Sequence, residues 1–176
     1  MTESTMLITK ALDFAARKHA GQRRKGEAAE PYINHLAEVA YLLAQATEGA
    51  DANLIAAGLL HDTIEDQGVT HMELVTTFNQ DVADLVMEVT DDKTLEKAER
   101  KRLQVLHAPH KSARARMLKI ADKTSNLRTL QSSPPVDWPA ERKQAYFVWA
   151  AEVVAGCRGI NAHLETEFDR AYQQGI

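Results

Sequence analysis

The chain has 176 residues, of which 44% are hydrophobic and 26% charged, a composition typical of one globular domain with its own core. Its one cysteine, Cys157, excludes an internal disulfide and a zinc site of four thiolates. The N-terminal sequence lacks the basic and apolar regions of a secretion signal, and no run of about 20 apolar residues could span a bilayer. We therefore expect a cytoplasmic protein without a membrane partner.

The net charge of −4 conceals an uneven distribution along the chain. Residues 26–92 contain fourteen Asp or Glu and no Lys or Arg, whereas residues 93–128 contain eleven Lys or Arg and three acidic residues. An acidic region suits a hard cation, and a neighbouring basic region suits an anionic ligand. Solvation of helix faces is the alternative explanation for most of these charges.

Apolar residues recur at helical spacing along most of the chain, which predicts an all-α, compact multi-helix bundle. The first helix has its apolar face over residues 7–18 and stops at Gly21, and residues 22–31 form a polar loop. A second helix over residues 36–46 ends at Gly49. The order of breakers and apolar faces indicates short connections between neighbouring helices.

Capping residues predict the next helices. Asp51 is the expected N-cap of a third helix, and Thr70 is the expected N-cap of a fourth. Further helices are predicted over residues 82–89, 95–107 and 113–130. A loop over the following nine residues ends in a proline, which we expect to be the first residue of the next helix, with a C-terminal helix after it.

The string LLHDTIED, residues 59–66, contains four residues capable of metal ligation or proton transfer directly after an apolar run. Charged groups are costly in such a setting unless they are paired or used. On a continuous helix, His61 and Glu65 would be i,i+4 neighbours, as would Asp62 and Asp66. We expect His61 and Asp62 to turn towards one ion, with Glu65 and Asp66 one turn further on.

Two other strings supply candidate ligands: PYINHLAEV contains His35, and LKIADKTSNL contains Asp122. Imidazole and carboxylate without thiolate favour Mn²⁺, Fe²⁺, Co²⁺ or Zn²⁺. Each residue also has an ordinary structural explanation. His35 could open a helix, Asp122 could pair with Lys119 or Lys123, and the acidic pair could cap the loop that follows it.

The order His35, His61-Asp62, Asp122 resembles the metal-binding set of the HD phosphohydrolase superfamily. The strings RRKG, PYINH, LLHDTIED, EVTDDKTL, ERKRLQ, APH and KIADKTSNL together resemble the hydrolase domain of RelA/SpoT homologues, in the stand-alone form of the small alarmone hydrolases. The resemblance extends from about residue 8 to 164. It implies one HD domain over residues 1–176 without a synthetase or regulatory domain.

The resemblance implies hydrolysis of guanosine 3′-diphosphate 5′-diphosphate (ppGpp) or its pentaphosphate to GDP or GTP plus pyrophosphate, which ends the stringent-response signal. It implies one Mn²⁺ ion with four ligands: His35, His61, Asp62 and Asp122. The implied catalytic residues are Glu65, Asp66 and Asn126. The expected substrate-binding residues are Arg24, Lys25, Lys97, Arg142 and Tyr146.

Within that set, the resemblance places Arg24 and Lys25 around the guanine and Tyr146 beside the sugar. Lys97 and Arg142 are candidate partners of the 5′-phosphates. The chain departs from the family pattern at three places near the site: Gly26 replaces a frequent serine, Leu36 a frequent proline, and Thr124-Ser125 bulkier or aromatic residues. These departures bear on purine recognition and on the ribose pocket, and we expect none of them to touch a proposed ligand.

Two alternative functions remain open at this point. One is an HD-type phosphatase acting on another ribose-phosphate nucleotide, such as NADPH or a 3′-phosphoadenosine nucleotide. The other is a non-catalytic nucleotide-binding HD domain, against which the complete ligand set argues. The basic residues Arg114, Arg116 and Lys119 belong to no recognisable nucleic-acid-binding module, so we expect no nucleic-acid partner. We expect a monomer or a small homo-oligomer, and we expect Trp138 and Trp149 in the core or a pocket wall.

Overall fold

Ten α-helices and one short 3-10 helix form the regular structure of residues 2–175, the part of the chain that this computed structural model describes. The first five helices are α1 (Thr2–Lys18), α2 (Ile33–Ala46), α3 (Ala52–Leu60), α4 (Thr63–Gln67) and α5 (His71–Thr77). The others are α6 (Gln80–Val89), α7 (Lys97–His107), α8 (Ala113–Ser132), α9 (Ala140–Ala155) and α10 (Ala162–Gln173). Ala108–His110 form the 3-10 helix. The all-α prediction is confirmed.

Local side-chain caps account for several helix boundaries. Asp51 Oδ1 accepts a hydrogen bond from Leu54 N at 2.9 Å, and Thr70 Oγ1 accepts one from Glu73 N at 3.1 Å. Both predicted N-caps are therefore confirmed. Pro139 is the N-cap of α9 in an extended conformation, one residue before the first helical position expected for it.

The core is built around α3 and α8. Every residue of α3 from Leu54 to Leu60 is buried, and this helix packs against α1, α2 and α6. The longer α8 is buried along much of its length and packs against α2, α6, α9 and α10. Because α2, α3 and α8 also contact one another, polar residues carried by these three helices are brought close together.

Gly58 permits the close packing of α3 against α2. A Cβ atom at this position would lie 2.8 Å from Leu43 Cδ1 and 3.3 Å from Ala40 Cα, distances that a real side chain does not tolerate without displacement. The absence of a side chain lets the two backbones approach. Just beyond the end of α3, the ring of His61 lies 5.3 Å from that of His35 in the first turn of α2.

The string LLHDTIED does not continue as one helix, so the i,i+4 spacing considered for a continuous helix does not apply. Helix α3 ends at Leu60, His61 and Asp62 form a turn, and α4 begins at Thr63. Two side chains donate hydrogen bonds to backbone carbonyls that would accept backbone N–H groups if the helix continued. His61 Nδ1 donates to Gly58 O at 2.8 Å, and Thr63 Oγ1 donates to Leu60 O at 2.6 Å.

Within residues 2–175, no helix is both long enough and apolar enough to cross a membrane.

Candidate metal centre and active site

Two histidines and two aspartates converge at one largely buried point. They come from the first turn of α2, the α3–α4 turn and the middle of α8, and they are His35, His61, Asp62 and Asp122. His61 Nε2 lies 3.2 Å from Asp62 Oδ2 and 3.8 Å from Asp122 Oδ1. His35 Nε2 lies 3.4 Å from Asp122 Oδ1 and 3.8 Å from Asp62 Oδ2. One ligand atom each from His35, His61 and Asp62 lies within 4.8 Å of the other two, and Asp122 Oδ1 faces both histidines, so the structure brings the four candidate ligands close together.

Both histidines are held by Nδ1, which leaves Nε2 facing the two aspartates. His61 Nδ1 binds the carbonyl of Gly58, and His35 Nδ1 binds Ser125 Oγ at 2.8 Å. His61 Nε2 is buried and has no hydrogen-bond partner. A buried nitrogen in this state is costly unless it has a ligand. Together with the donor set of two imidazoles and two carboxylates, it fits a first-row divalent cation.

The electrostatics of the cluster suit a cation. Burial would raise the pKa of Asp62, but the charge of His61 holds it well below its usual range. Burial likewise opposes ionisation of Asp122, but the charge of Lys123 holds its pKa well below the ordinary value. Burial alone would lower the pKa of His61, whereas Asp62 and Asp122 raise it to about 9. Without a metal, His61 therefore keeps a proton at neutral pH, at the position where a cation would bind.

Asp122 also has the structural role considered from the sequence. Its Oδ2 accepts a hydrogen bond from Lys123 Nζ at 2.7 Å, while its Oδ1 faces the two histidines. Lys119 is buried as well but donates to Val89 O at 2.9 Å. The ion pair and the candidate ligation thus use different oxygens of one carboxylate.

The acidic pair Glu65 and Asp66 lies on α4 beside this cluster. Burial raises the pKa of Glu65, and the charges of Asp62 and Asp91 raise it further. Asp66 is held from both sides: its Oδ1 accepts from Lys93 Nζ at 2.5 Å, and its Oδ2 accepts from Gln22 Nε2 at 2.8 Å. Glu65 is thus suited to take up a proton, and Asp66 is fixed in orientation.

The capping explanation for this acidic pair is not supported. Gly68 ends α4 through its own backbone, with φ of 66° and its N–H bound to Thr63 O. No cap from Glu65 or Asp66 is needed there, and both side chains instead line a cavity.

This cavity, of about 510 Å³, lies next to the candidate metal cluster. Part of its wall is strongly basic and consists of Arg24, Lys25, Lys97, Arg100, Lys101 and Arg142. Another part is aromatic and consists of Tyr32, Trp138, Tyr146 and Trp149. The expectation that both tryptophans contribute to the core or a pocket wall is confirmed. Such a wall suits an anionic ligand that carries a ring.

Two cavity-lining residues connect the basic wall to the metal cluster. Arg24 Nη2 donates to Asn126 Oδ1 at 2.8 Å, and Asn126 Nδ2 donates to Asp122 Oδ1 at 2.6 Å. Arg24 also reaches Thr129 Oγ1 at 3.3 Å and lies over the ring of Tyr32. The guanidinium of Arg24 is therefore one residue away from a candidate metal ligand.

The remaining predicted substrate residues lie together farther along the wall. The Arg142 guanidinium stacks on the Trp138 ring at 4.2 Å, and the Tyr146 and Trp149 rings lie 5.2 Å apart. Partial burial and the charges of Arg142 and Lys25 lower the pKa of Lys97. The repulsion among these three cations is relieved when an anion binds between them.

Sequence reasoning missed several residues that act on the site. Tyr32 donates a hydrogen bond to Asp62 Oδ2 at 2.7 Å, and Gln22 and Lys93 hold Asp66. Tyr32 and Lys93 belong to strings that carried the resemblance, and Gln22 directly precedes one of them. A string match alone does not say which of its side chains reach the site.

The basic residues of α8 that could have suggested nucleic acid are occupied within the protein. Arg114 pairs with Asp51 and Asp81, each at 2.9 Å. Lys119 is buried, and Arg116 donates to Arg158 O at 3.0 Å.

A helical fold with these four candidate ligands in this order is typical of an HD-domain protein. The sequence matches the family described as HD domain over residues 11–160, and the chain belongs to this family. It is 49% identical to "Guanosine-3′,5′-bis(diphosphate) 3′-pyrophosphohydrolase MESH1" of Xenopus tropicalis, over 100% of this chain and 99% of that protein. It is 48% identical to MESH1 of Homo sapiens, over 98% of this chain and 96% of that protein.

A solved structure, described as a metazoan ortholog of SpoT that hydrolyses ppGpp, superimposes with a TM-score of 0.91. The two chains are 45% identical, and the match covers 96% of this chain and 94% of the other. The resemblance to stand-alone alarmone hydrolases is thereby confirmed.

Proposed function

We propose that this protein is a metal-dependent pyrophosphohydrolase that converts ppGpp, or its pentaphosphate, and water to GDP, or GTP, and pyrophosphate. The observation that carries the proposal is the buried cluster of two histidines and two aspartates next to a cavity with a basic wall. An acidic pair lines the same cavity. Relatives named for this activity match over almost their whole length, which supports the substrate class.

The proposed cofactor is one Mn²⁺ ion, with His35, His61, Asp62 and Asp122 as its ligands. Nitrogen and carboxylate donors without thiolate suit Mn²⁺, Fe²⁺, Co²⁺ or Zn²⁺, and the resemblance to alarmone hydrolases selects Mn²⁺ among them. When bound, the ion would lower the pKa of a water molecule and polarise a phosphoryl oxygen. Tyr32 restrains the side chain of Asp62 through its 2.7 Å hydrogen bond.

Glu65 is the proposed proton acceptor for the attacking water, because its raised pKa brings it closer to the working pH. Asp66, held by Gln22 and Lys93, would orient that water. The water oxygen forms a bond to the phosphorus attached to the ribose 3′-oxygen. The bond between that phosphorus and the 3′-oxygen breaks, and the 3′-oxygen takes a proton.

The basic wall would bind the two diphosphates. Arg24 and Asn126 lie beside the candidate metal ligand Asp122, which supports a role for Asn126 near the scissile phosphate. Lys97 and Arg142 are proposed to bind the 5′-phosphates. The part of the wall with Tyr146 would contact the sugar, and Arg24 and Lys25 would border the guanine.

The test is to incubate chelator-stripped protein with ppGpp, with and without added Mn²⁺, and to separate the products by anion-exchange chromatography. We expect GDP and pyrophosphate in equal amounts, and only with Mn²⁺. Release of orthophosphate would contradict the proposed bond cleavage. An absence of turnover by protein with bound Mn²⁺ would contradict the substrate, and turnover of NADPH or a 3′-phosphoadenosine nucleotide instead would identify a different one.

A further inference from the structure

The candidate ligand His35 is connected, on the side away from the metal cluster, to a chain of polar groups that begins at buried Ser125 and ends at partly exposed Glu38 and Arg128. Its Nδ1 lies 2.8 Å from Ser125 Oγ, and Ser125 Oγ donates to Glu38 Oε2 at 2.6 Å. The other oxygen, Glu38 Oε1, accepts from Arg128 Nη1 at 3.0 Å. The chain joins residues from α2 and α8, and Ser125 is fully buried.

The direction of these hydrogen bonds fixes the position of the imidazole proton. The Glu38 carboxylate is paired with Arg128 and accepts hydrogen bonds, so the single hydroxyl proton of Ser125 is directed towards it. Ser125 Oγ must then accept from His35, whose proton therefore lies on Nδ1. The lone pair of Nε2 is left facing Asp62 and Asp122.

The two histidines of the cluster are held through Nδ1 in different ways. His61 donates to the backbone carbonyl of Gly58, an acceptor that no side-chain substitution removes. His35 depends on the side chains of Ser125 and Glu38. The contact of Ser125 with His35 corrects the expectation that no departure near the site touches a proposed ligand.

We propose that Ser125 and Glu38 are positioning residues for His35: they hold its proton on Nδ1, orient the ring and increase its strength as a metal ligand. A carboxylate that polarises a metal-binding histidine through a hydrogen bond makes the ligand more basic and restricts ring rotation. The part of the inference that concerns ligand strength rests on the proposed metal site.

Arg128 sets the position of Glu38 in turn. Besides Glu38, it contacts Glu167 of α10 at 2.5 Å, so α2, α8 and α10 meet at one guanidinium. Glu167 also pairs with Arg170 at 2.6 Å. Glu167→Gln therefore serves as a control that weakens the same ion-pair network without touching the Ser125–Glu38 link.

The first experiment measures the tautomer of His35 in the metal-free protein by long-range ¹H–¹⁵N correlation on protein labelled at histidine. We expect the proton on Nδ1 in the wild type and a mixture of tautomers in Ser125→Ala. A proton on Nε2 of His35 in the wild type would overturn the proposal, whether or not the protein binds metal.

The second experiment measures the Mn²⁺ affinity of chelator-stripped variants by calorimetry, with circular dichroism as a check of folding. We expect Ser125→Ala to weaken Mn²⁺ binding roughly ten-fold or more, and Glu38→Gln to weaken it as well. Ser125→Thr, which keeps the hydroxyl, should retain most of the wild-type affinity. Thr124→Val removes a neighbouring buried hydroxyl that binds only Ile120 O, and it should leave the affinity unchanged, as should Glu167→Gln.

The outcomes separate this inference from the proposed function. Affinities of folded Ser125→Ala and Glu38→Gln within two-fold of the wild type would overturn the positioning role. If Ser125→Ala does not fold, Glu38→Gln decides the question. A wild-type protein that binds no Mn²⁺ would overturn the proposed cofactor, and the tautomer measurement would still decide whether the Ser125–Glu38 link holds His35.

Discussion

Replacing Glu65 by glutamine should separate catalysis from metal binding. Its Oε2 accepts only a long hydrogen bond, of 3.4 Å, from Asp91 N, and Lys93 Nζ lies 3.9 Å from Oε1. The amide oxygen of glutamine can still accept from Asp91 N. The contact with Lys93 is a partly exposed ion pair, and such pairs contribute about 0–1 kcal/mol to stability. We therefore expect Glu65→Gln to fold with nearly unchanged stability.

The expected loss lies in the rate. A positioned general base contributes a factor of roughly 10² to 10⁴, which corresponds to about 3–5 kcal/mol of the activation barrier. Because Glu65 lies outside the four-residue cluster, Mn²⁺ affinity should change little. We expect kcat to fall by that factor at saturating Mn²⁺, while the affinity measured by calorimetry stays within a few-fold of the wild type.

A matched control is Glu73→Gln, which makes the same chemical change on α5, where Glu73 pairs with Lys18 at 2.9 Å and does not line the cavity. Both kcat and Mn²⁺ affinity should be those of the wild type. If Glu65→Gln retained Mn²⁺ and kept kcat within ten-fold of the wild type, the assignment of Glu65 as proton acceptor would be refuted.

Three further perturbations test other parts of the structure. Asp62→Asn should lose Mn²⁺ binding and turnover together, because it removes a charged ligand; full activity in this variant would contradict the ligand set. Gly58→Ala adds a Cβ 2.8 Å from Leu43 Cδ1 and 3.3 Å from Ala40 Cα, and this overpacking, at about 1–3 kcal/mol, is offset by about 1 kcal/mol of helix propensity. We expect a net loss of up to about 2 kcal/mol in urea unfolding, and a raised unfolding midpoint would argue against the close α2–α3 approach. The hydrogen bond from Arg114 holds the pKa of Asp81 below its ordinary 3.8, so the pair stabilises the fold above that pH and loses this effect as pH falls through the lower native value. Asp81→Asn should therefore be less stable than the wild type at neutral pH, and thermal unfolding should show the difference shrinking under acid conditions.

The sequence alone determined the helical class and the candidate metal ligands. Apolar periodicity reports which face of a segment is buried, and a cap such as Asp51 or Thr70 acts on a backbone N–H only three residues away. The ligands could be named because each belongs to a distinctive string and the strings follow a recognisable order. None of this information depends on where the helices lie relative to one another.

The tertiary structure decided which side chains support those ligands. Tyr32 reaches Asp62 across 30 positions of the chain, and His35 reaches Ser125 across 90. Such contacts depend on how closely α2, α3 and α8 pack, and periodicity within one helix carries no information about that distance. The turn at His61 likewise depends on side chains competing for backbone carbonyls, a balance of hydrogen bonds that residue spacing does not reveal.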